Sequence, residues 1–130
     1  MKNKTVIVVG AGPAGLMAAI RAGECGAEVM LVEKKPSAGA KILLSGKGRC
    51  NLTNACDLDS FLKRFSGRGE FLRDAFKKFF NEDLMRFFEE RGVPLKIERQ
   101  ERVFPVSDRS ACILEVLKKE LEKQNVTVHY

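Results

Sequence analysis

A stretch rich in glycine and cations is the first feature that could do chemistry. Ile42–Asn54 has the sequence ILLSGKGRCNLTN, with two glycines, two cations and no acidic residue. Its amide and hydroxyl side chains could hold an anion, and its cations would favour one electrostatically. The composition therefore raises the question of which anionic ligand this stretch binds.

A glycine-rich turn, GAGPAG at Gly10–Gly15, is the second such feature. In the G-x-G-x-x-G pattern, Gly10 permits a tight turn and Gly12 lets the backbone approach a pyrophosphate, while Gly15 lets the next helix pack against the preceding strand. The pyrophosphate would lie on free N–H groups at the positive end of the helix dipole, near Pro13. The turn therefore predicts a dinucleotide site.

An acid stands where a ribose-binding residue is expected. Glu33 lies 18 residues beyond Gly15 and follows the apolar run Glu28–Val32. Its carboxylate would accept hydrogen bonds from a ribose diol and repel a 2′-phosphate. The site therefore suits FAD or NAD and disfavours NADP.

The elements that must position these residues are visible in the pattern. Thr5–Val9 is a β-branched run without alternation, which predicts a strand buried on both faces. The turn and a helix-favouring stretch follow, and Glu28–Val32 is a second buried strand. Strand, turn, helix and strand form a parallel βαβ unit with a right-handed crossover.

Helical segments occupy the middle of the chain. Apolar residues at spacings of three and four predict helices over Asp57–Phe65, Glu70–Phe80 and Glu82–Arg91, so that residues 57–91 form a helical insertion. Eight of the nine phenylalanines lie between residues 61 and 88. Such a cluster could stack on bases, but the helical spacing favours a packed core.

A further helix and strand are predicted near the C-terminal end. Ser107 or Asp108 is expected to cap a helix whose apolar face comprises Ile113, Leu114, Leu117 and Leu121. Asn125–Tyr130 then predicts the third parallel strand of the same sheet.

The charge distribution points to the same region as the motifs. The chain has 130 residues, 45% of them hydrophobic, and is predicted to be one domain spanning 1–130. Its net charge is +6, and residues 34–56 hold five cations and no acid, whereas the rest of the chain has 18 basic and 17 acidic residues. This local excess indicates an anionic partner, although a solvated lysine-rich loop is the alternative.

The cysteines and the N-terminal region indicate a cellular compartment. The four cysteines match neither a zinc site nor a CxxC pair, which predicts no metal, no disulfide and a reducing environment. The uncharged run Thr5–Ile20 is interrupted by glycines and Pro13 and is too short for a membrane span. We therefore expect a cytoplasmic protein without membrane contact.

Taken together, these motifs carry a family resemblance. GAGPAG, the strand-end Glu33, KILLSGKGRCNLTN at Lys41–Asn54 and RVFPVSDRS at Arg102–Ser110 resemble the N-terminal part of the BaiN/YhiN-type flavoproteins, which are NAD(P)/FAD-dependent oxidoreductases. The resemblance covers essentially the whole chain. It implies an α/β fold: a Rossmann-like, glutathione-reductase-type FAD-binding domain with a parallel sheet and a helical insertion between its second and third strands.

The resemblance also implies a set of cofactor-binding residues. In the family, the S-G-x-G-R-C-N loop lines the FAD cleft, and its two glycines could take positive φ so that N–H groups converge on an anion as a nest. Arg49 and Lys41 would add charge near the pyrophosphate or the reduced flavin, and Cys50 is expected to be a small buried thiol. The predicted set is Gly10, Ala11, Gly12, Pro13, Ala14, Gly15, Glu33, Lys34, Lys41, Ser45, Gly46, Gly48, Arg49, Cys50 and Asn51.

The predicted function is that of an FAD-binding domain of a flavin-dependent oxidoreductase. Family members are longer, so the chain is truncated by comparison. NAD(P)H or a small-molecule substrate would bind through further segments, and the 130-residue chain alone is expected to be inactive. No residue is a convincing general acid or base, and His129, the single histidine, is most simply a strand residue. Two alternatives stay open: a non-catalytic nucleotide-binding module, and a nucleic-acid-binding domain, which the position of Glu33 disfavours.

Overall fold

A parallel sheet forms the base of the fold. The computed structural model describes residues 4–130. Strand β2 (Glu28–Val32) lies between β1 (Thr5–Val9) and β6 (Thr127–His129), and all three run parallel. The register pairs Thr5 with Glu28 and Met30 with Thr127. The predicted βαβ unit and the third parallel strand are confirmed.

Helix α1 (Pro13–Glu24) makes the crossover between β1 and β2. Proline at its first position costs no hydrogen bond, because the first N–H groups of a helix have no intrahelical partner. A Cβ built on Gly15 would lie 1.8 Å from the carbonyl oxygen of Gly10. The third glycine therefore allows the close approach of helix and strand that the motif predicts.

Strand burial differs from the sequence-based prediction. Burial alternates along β1, and Ile7 and Val9 are 62% and 83% exposed rather than buried. On β2, Met30 is exposed and Leu31 is buried. The prediction of strands buried on both faces is therefore wrong for this chain, because no layer within residues 4–130 covers the second face.

A second, antiparallel sheet was not predicted. It consists of β3 (Thr53–Asn54), β5 (Arg102–Pro105) and β4 (Leu95–Glu98), in the order β3-β5-β4. These strands are two to four residues long, too short for an alternating pattern to stand out. The segment between β2 and β6 therefore contains both helices and this small sheet.

The predicted middle helices form, with shorter bounds. They are α3 (Leu58–Lys63), a 3-10 turn (Gly69–Leu72) that leads into α4 (Arg73–Lys78), and α5 (Asn81–Glu89). The unpredicted α2 (Ala40–Leu44) precedes them.

Phenylalanine rings pack α3 against α4 and the start of α5. The rings of Phe61, Phe76 and Phe80 lie with centroids 5.1–5.3 Å apart. Phe88 is buried in the main core, whereas Phe71 is 90% exposed. The prediction of a packed aromatic core therefore holds for only part of the cluster, because Phe65 and Phe79 are also exposed, at 41% and 43%.

Helix α6 (Ser110–Lys123) covers the inner face of the parallel sheet together with α1. Its predicted apolar face, Ile113, Leu114, Leu117 and Leu121, is buried. The predicted cap at Ser107 or Asp108 is wrong, because the helix begins at Ser110 and Arg109 is its N-cap. Asp108 instead has a φ angle of 54° and forms ion pairs described below.

Candidate functional site

The glycine turn connects the end of β1 to the start of α1. Gly10 has a φ angle of 96°, in the region that favours glycine, and its N–H donates to the carbonyl of Val32 at 2.7 Å. A Cβ built on Gly12 would meet no protein atom within 4 Å. The turn is thus anchored to β2 at one end and open at its middle glycine.

Glu33 lies directly after β2, against this turn. Its Oε2 accepts a hydrogen bond from the N–H of Ala11 at 2.7 Å, and its Oε1 accepts one from the N–H of Lys35 at 2.9 Å. These backbone donors, that of Lys35 foremost, lower the pKa of Glu33 below its ordinary value. The carboxylate is therefore ionised and oriented, and each oxygen keeps a second lone pair for a ligand.

An open cleft of about 570 Å³, here called the glycine cleft, surrounds these groups. Ligand sites commonly have volumes of about 300–1,000 Å³. Its lining includes the first nine predicted site residues: Gly10, Ala11, Gly12, Pro13, Ala14, Gly15, Glu33, Lys34 and Lys41.

A second cleft of about 300 Å³, here called the apolar cleft, lies next to the first. Pro13 and Lys41 line both clefts, so that the two adjoin. The predicted residues Ser45, Cys50 and Asn51 contribute to this second cleft. Its remaining walls are apolar side chains of α1, α2, α5, α6 and the segment before β3: Met17, Ile42, Leu52, Leu84, Phe88, Ile113 and Leu117.

Three predicted residues of the S-G-K-G-R-C-N loop, Gly46, Gly48 and Arg49, line neither cleft in the described part of the chain. Both glycines have the predicted positive φ, 56° and 87°. Within the loop, the N–H of Arg49 donates to Gly46 and that of Cys50 donates to Ser45. These two N–H groups are therefore engaged by the loop itself, and the anion nest stays a prediction.

Arg49 forms ion pairs on the far side of the loop. Its Nε and Nη2 donate to Oδ1 of Asp108 at 2.9 and 2.7 Å, and Nη2 also contacts Glu98. Its guanidinium lies 4.1 Å from the ring centroid of Phe104. The side-chain bonds to Glu98 and Asp108 raise the pKa of Arg49 further above its ordinary value.

Sequence reasoning missed Ser37, Gly39 and Ala40, which also line the glycine cleft. Gly39 has a φ angle of 71°, and its N–H donates to the carbonyl of Ala11 at 2.8 Å. A Cβ at Gly39 would lie 2.4 Å from Leu114. The small-residue run SAGA was the available signal, since small residues mark close backbone approach.

Cys50 is buried, with 6% of its surface exposed, and desolvation raises the pKa of its thiol. We expect iodoacetamide at pH 8 to modify exposed Cys25 at least about tenfold faster than Cys50, because the thiolate is the reactive form and Cys50 is both shielded and protonated. Peptide mass spectrometry over time measures both rates. Equal rates would contradict the assignment of Cys50 as an inert buried thiol.

Residues 4–130 contain neither a candidate metal cluster nor a candidate membrane-spanning helix. The described part of the chain has no cluster of three or more His, Cys, Asp or Glu side chains that could hold a metal ion. Its helices all lack the length and apolar character needed to cross a bilayer.

Comparison with known families gives a match over almost the whole chain. The family described as HI0933-like protein Rossmann domain matches residues 4–130. Among solved structures, the 3-ketosteroid-delta4-(5alpha)-dehydrogenase of Rhodococcus jostii superposes with a TM-score of 0.67 at 18% identity, covering 98% of this chain and 37% of that one. At this identity the likeness concerns the fold alone.

Two curated relatives have similar sequences. The 3-dehydro-bile acid delta(4,6)-reductase of Clostridium scindens is 37% identical over 125 residues, which cover 94% of this chain and 30% of the relative. The ribosomal RNA dihydrouridine synthase of Escherichia coli is 32% identical over 128 residues, which cover 98% of this chain and 31% of the relative. The chain thus spans about a third of the length of these relatives.

Proposed function

Because the chain belongs to the HI0933-like Rossmann domain family, whose cofactor is FAD, we propose that it is the FAD-binding part of a flavin-dependent oxidoreductase. The observation that carries this proposal is the pair of adjoining clefts. The glycine cleft offers backbone N–H groups and a ribose-binding carboxylate, and the apolar cleft offers hydrophobic walls. A ligand with a charged pyrophosphate and a flat ring system suits such a pair.

The residues of the glycine cleft would bind the ADP half. The amides of the first turn of α1 have no intrahelical acceptor, and the helix dipole adds positive potential there. Gly12 leaves room for the pyrophosphate, since no protein atom lies within 4 Å of the position of its missing Cβ. Glu33 would accept hydrogen bonds from the ribose hydroxyls.

The residues of the apolar cleft would bind and orient the ring half. Leu84 and Phe88 on α5 and Ile113 and Leu117 on α6 would form its apolar walls. Asn51 and Ser45 supply polar groups at its edge. FAD supplies hydride-transfer chemistry when it is bound, and the chain supplies binding, orientation and a dry wall.

The names of the relatives suggest a substrate class. A delta(4,6)-reductase of a 3-dehydro compound acts, by its name, on ring double bonds near a carbonyl, and dihydrouridine differs from uridine by two hydrogens on a double bond next to a carbonyl. We propose that the whole protein also reduces, or forms, a carbon–carbon double bond conjugated with a carbonyl. Such a double bond accepts a hydride at the carbon farther from the carbonyl, because the carbonyl oxygen takes up the negative charge as an enolate, and a proton added at the nearer carbon completes the reduction.

The second candidate function concerns RNA, because one relative is named for ribosomal RNA. Phe71 is 90% exposed, so its ring is accessible for stacking on a base, contrary to the expectation that the phenylalanines are packed in a core. The cationic excess nevertheless lies in residues 34–56, beside the glycine cleft. We therefore expect no RNA binding at 0.15 M salt in a filter-binding assay. Tight binding that Phe71→Ala abolishes would support the RNA candidate instead.

The replacement Glu33→Ala tests the proposed function directly. We expect FAD and ADP affinities to fall about tenfold to a hundredfold, because the ribose hydroxyls lose a charged acceptor. Isothermal titration measures both affinities. Glu28→Ala, at the other end of β2, is the matched control and should leave them unchanged. Unchanged affinity in Glu33→Ala would contradict the ribose role.

A further inference from the structure

The S-G-K-G-R-C-N loop holds an unusual backbone conformation. Gly46, Lys47, Gly48 and Cys50 all have positive φ angles, between 56° and 87°. Two of these residues are not glycine, and such a conformation persists only where its surroundings enforce it. A Cβ on Gly46 would lie 2.7 Å from the backbone nitrogen of Asn51, so the loop is also tightly folded.

Arg49 connects this loop by side-chain hydrogen bonds to residues that are distant in sequence. Its guanidinium bonds to Glu98, at the end of β4, and to Asp108, in the turn between β5 and α6. Lys96 on β4 completes the group, with its Nζ 2.9 Å from Asp108 and 3.3 Å from Glu98. The face of the guanidinium also covers Phe104 on β5.

The position of this group relative to the clefts suggests its role. Ser45, Cys50 and Asn51, which flank the arginine in sequence, line the apolar cleft, whereas Arg49 itself does not. Arg49 is therefore connected to the apolar cleft through the backbone of the loop and not by lining it. A planar guanidinium that makes several directed bonds suits this fixing role.

We propose that Arg49, Glu98 and Asp108 form a clamp that sets the shape of the apolar cleft, with Arg49 as a positioning residue rather than a cofactor contact. The inference rests on the proposed function, because it takes the apolar cleft as the ring-binding half of the FAD site. It assigns to Glu98 and Asp108, 49 and 59 residues away from Arg49, a role in ring binding.

The clamp and a direct charge effect of Arg49 on the flavin predict different results for Arg49→Ala and Glu98→Gln. If Arg49 acted by its charge on the reduced flavin, Arg49→Ala would lower the flavin midpoint potential, and Glu98→Gln, which removes a negative charge, would raise it. If Arg49 acts through the clamp, both changes loosen the same loop and weaken FAD binding in the same direction. ADP binding, which uses the glycine cleft, stays unchanged.

The experiment titrates FAD and ADP against the protein at its natural length, and potentiometry of FAD-bound Arg49→Ala and Glu98→Gln measures the flavin midpoint potential. Arg49→Ala and the double variant Glu98→Gln/Asp108→Asn should each weaken FAD binding about threefold to tenfold, since partly exposed ion pairs contribute modestly. ADP affinity should stay within about twofold. The triple variant should bind FAD no more weakly than Arg49→Ala, because the effects of substitutions within one network are not additive. The visible absorption band of bound FAD should shift in these variants.

Glu70→Gln is the matched control, because Arg73 pairs with Glu70 and Asp59 in a similar group away from both clefts. It should change neither affinity nor spectrum. Equal losses of FAD and ADP binding, or full additivity of the three substitutions, would overturn the clamp. Opposite shifts of potential in Arg49→Ala and Glu98→Gln at unchanged affinity would overturn it in favour of direct charge action. Failure of the unmodified protein to bind FAD would instead contradict the proposed function.

Discussion

Replacing Gly15 by alanine is expected to lower the free energy of unfolding by about 3 kcal/mol or more. The added Cβ would lie 1.8 Å from the carbonyl oxygen of Gly10, which is backbone and cannot rotate away. Alanine is the better helix former by about 1 kcal/mol, but α1 would still have to move off β1. Urea denaturation followed by circular dichroism measures the change.

Gly12→Ala is the control for this replacement. It introduces the same methyl group where no protein atom lies within 4 Å, and the φ angle there, −79°, suits any residue. We expect stability within about 0.5 kcal/mol of the original but weaker ADP binding, because the methyl group enters the glycine cleft. Unaltered stability in Gly15→Ala would mean that helix and strand do not pack as closely as described.

The second large effect is expected at Asn81, a buried amide at the start of α5. Its Nδ2 donates to the carbonyls of Asn54 and Cys56, both at 2.8 Å, and 5% of the residue is exposed. Asn81→Asp would set a carboxylate against these two carbonyls. We expect a loss of about 3 kcal/mol at pH 7 and a looser wall of the apolar cleft, since α5 carries Leu84 and Phe88.

The pH dependence identifies the cause of this loss. In Asn81→Asp, burial against two carbonyls would raise the folded-state pKa of the new carboxyl above its unfolded value of about 3.9. The penalty therefore grows as pH rises from the unfolded-state pKa to the folded-state pKa and is constant above the latter. Well below about pH 4 the group is protonated in both states, and the charge-related part of the penalty disappears. Thermal unfolding at about pH 3 and pH 7 measures the difference. Asn125→Asp, in an exposed turn, is the control, and a pH-independent penalty at position 81 would contradict this explanation.

Local motifs made much of the glycine cleft predictable. GAGPAG and Glu33 lie within one βαβ unit, so their spacing alone determines where they meet. The third strand was predictable as an element because Val126 to His129 follows a strongly amphipathic helix. The exposure of Ile7 and Val9 was not predictable, because a buried parallel strand and this one have the same β-branched composition.

Long-range pairings account for most of what the sequence left open. The partners of Arg49 lie 49 and 59 residues away, and charge patterns do not specify such distant pairs. The antiparallel sheet joins Thr53 to Val103, again across a long separation. Helix α2 was missed because it has five residues and starts after Gly39, which has a positive φ and lies in a small-residue run.

The pairing of β6 with β2 has a consequence for how the protein is made. Thr127 joins Met30, and the N–H of Glu33 donates to the carbonyl of His129 at 2.9 Å. A ribosome releases the glycine turn and Glu33 early, but this last backbone anchor of Glu33 exists only after His129 has emerged. Closing such a long loop is slow and entropically costly. We therefore expect a nascent chain to complete its nucleotide site late, after the whole segment between β2 and β6 has emerged.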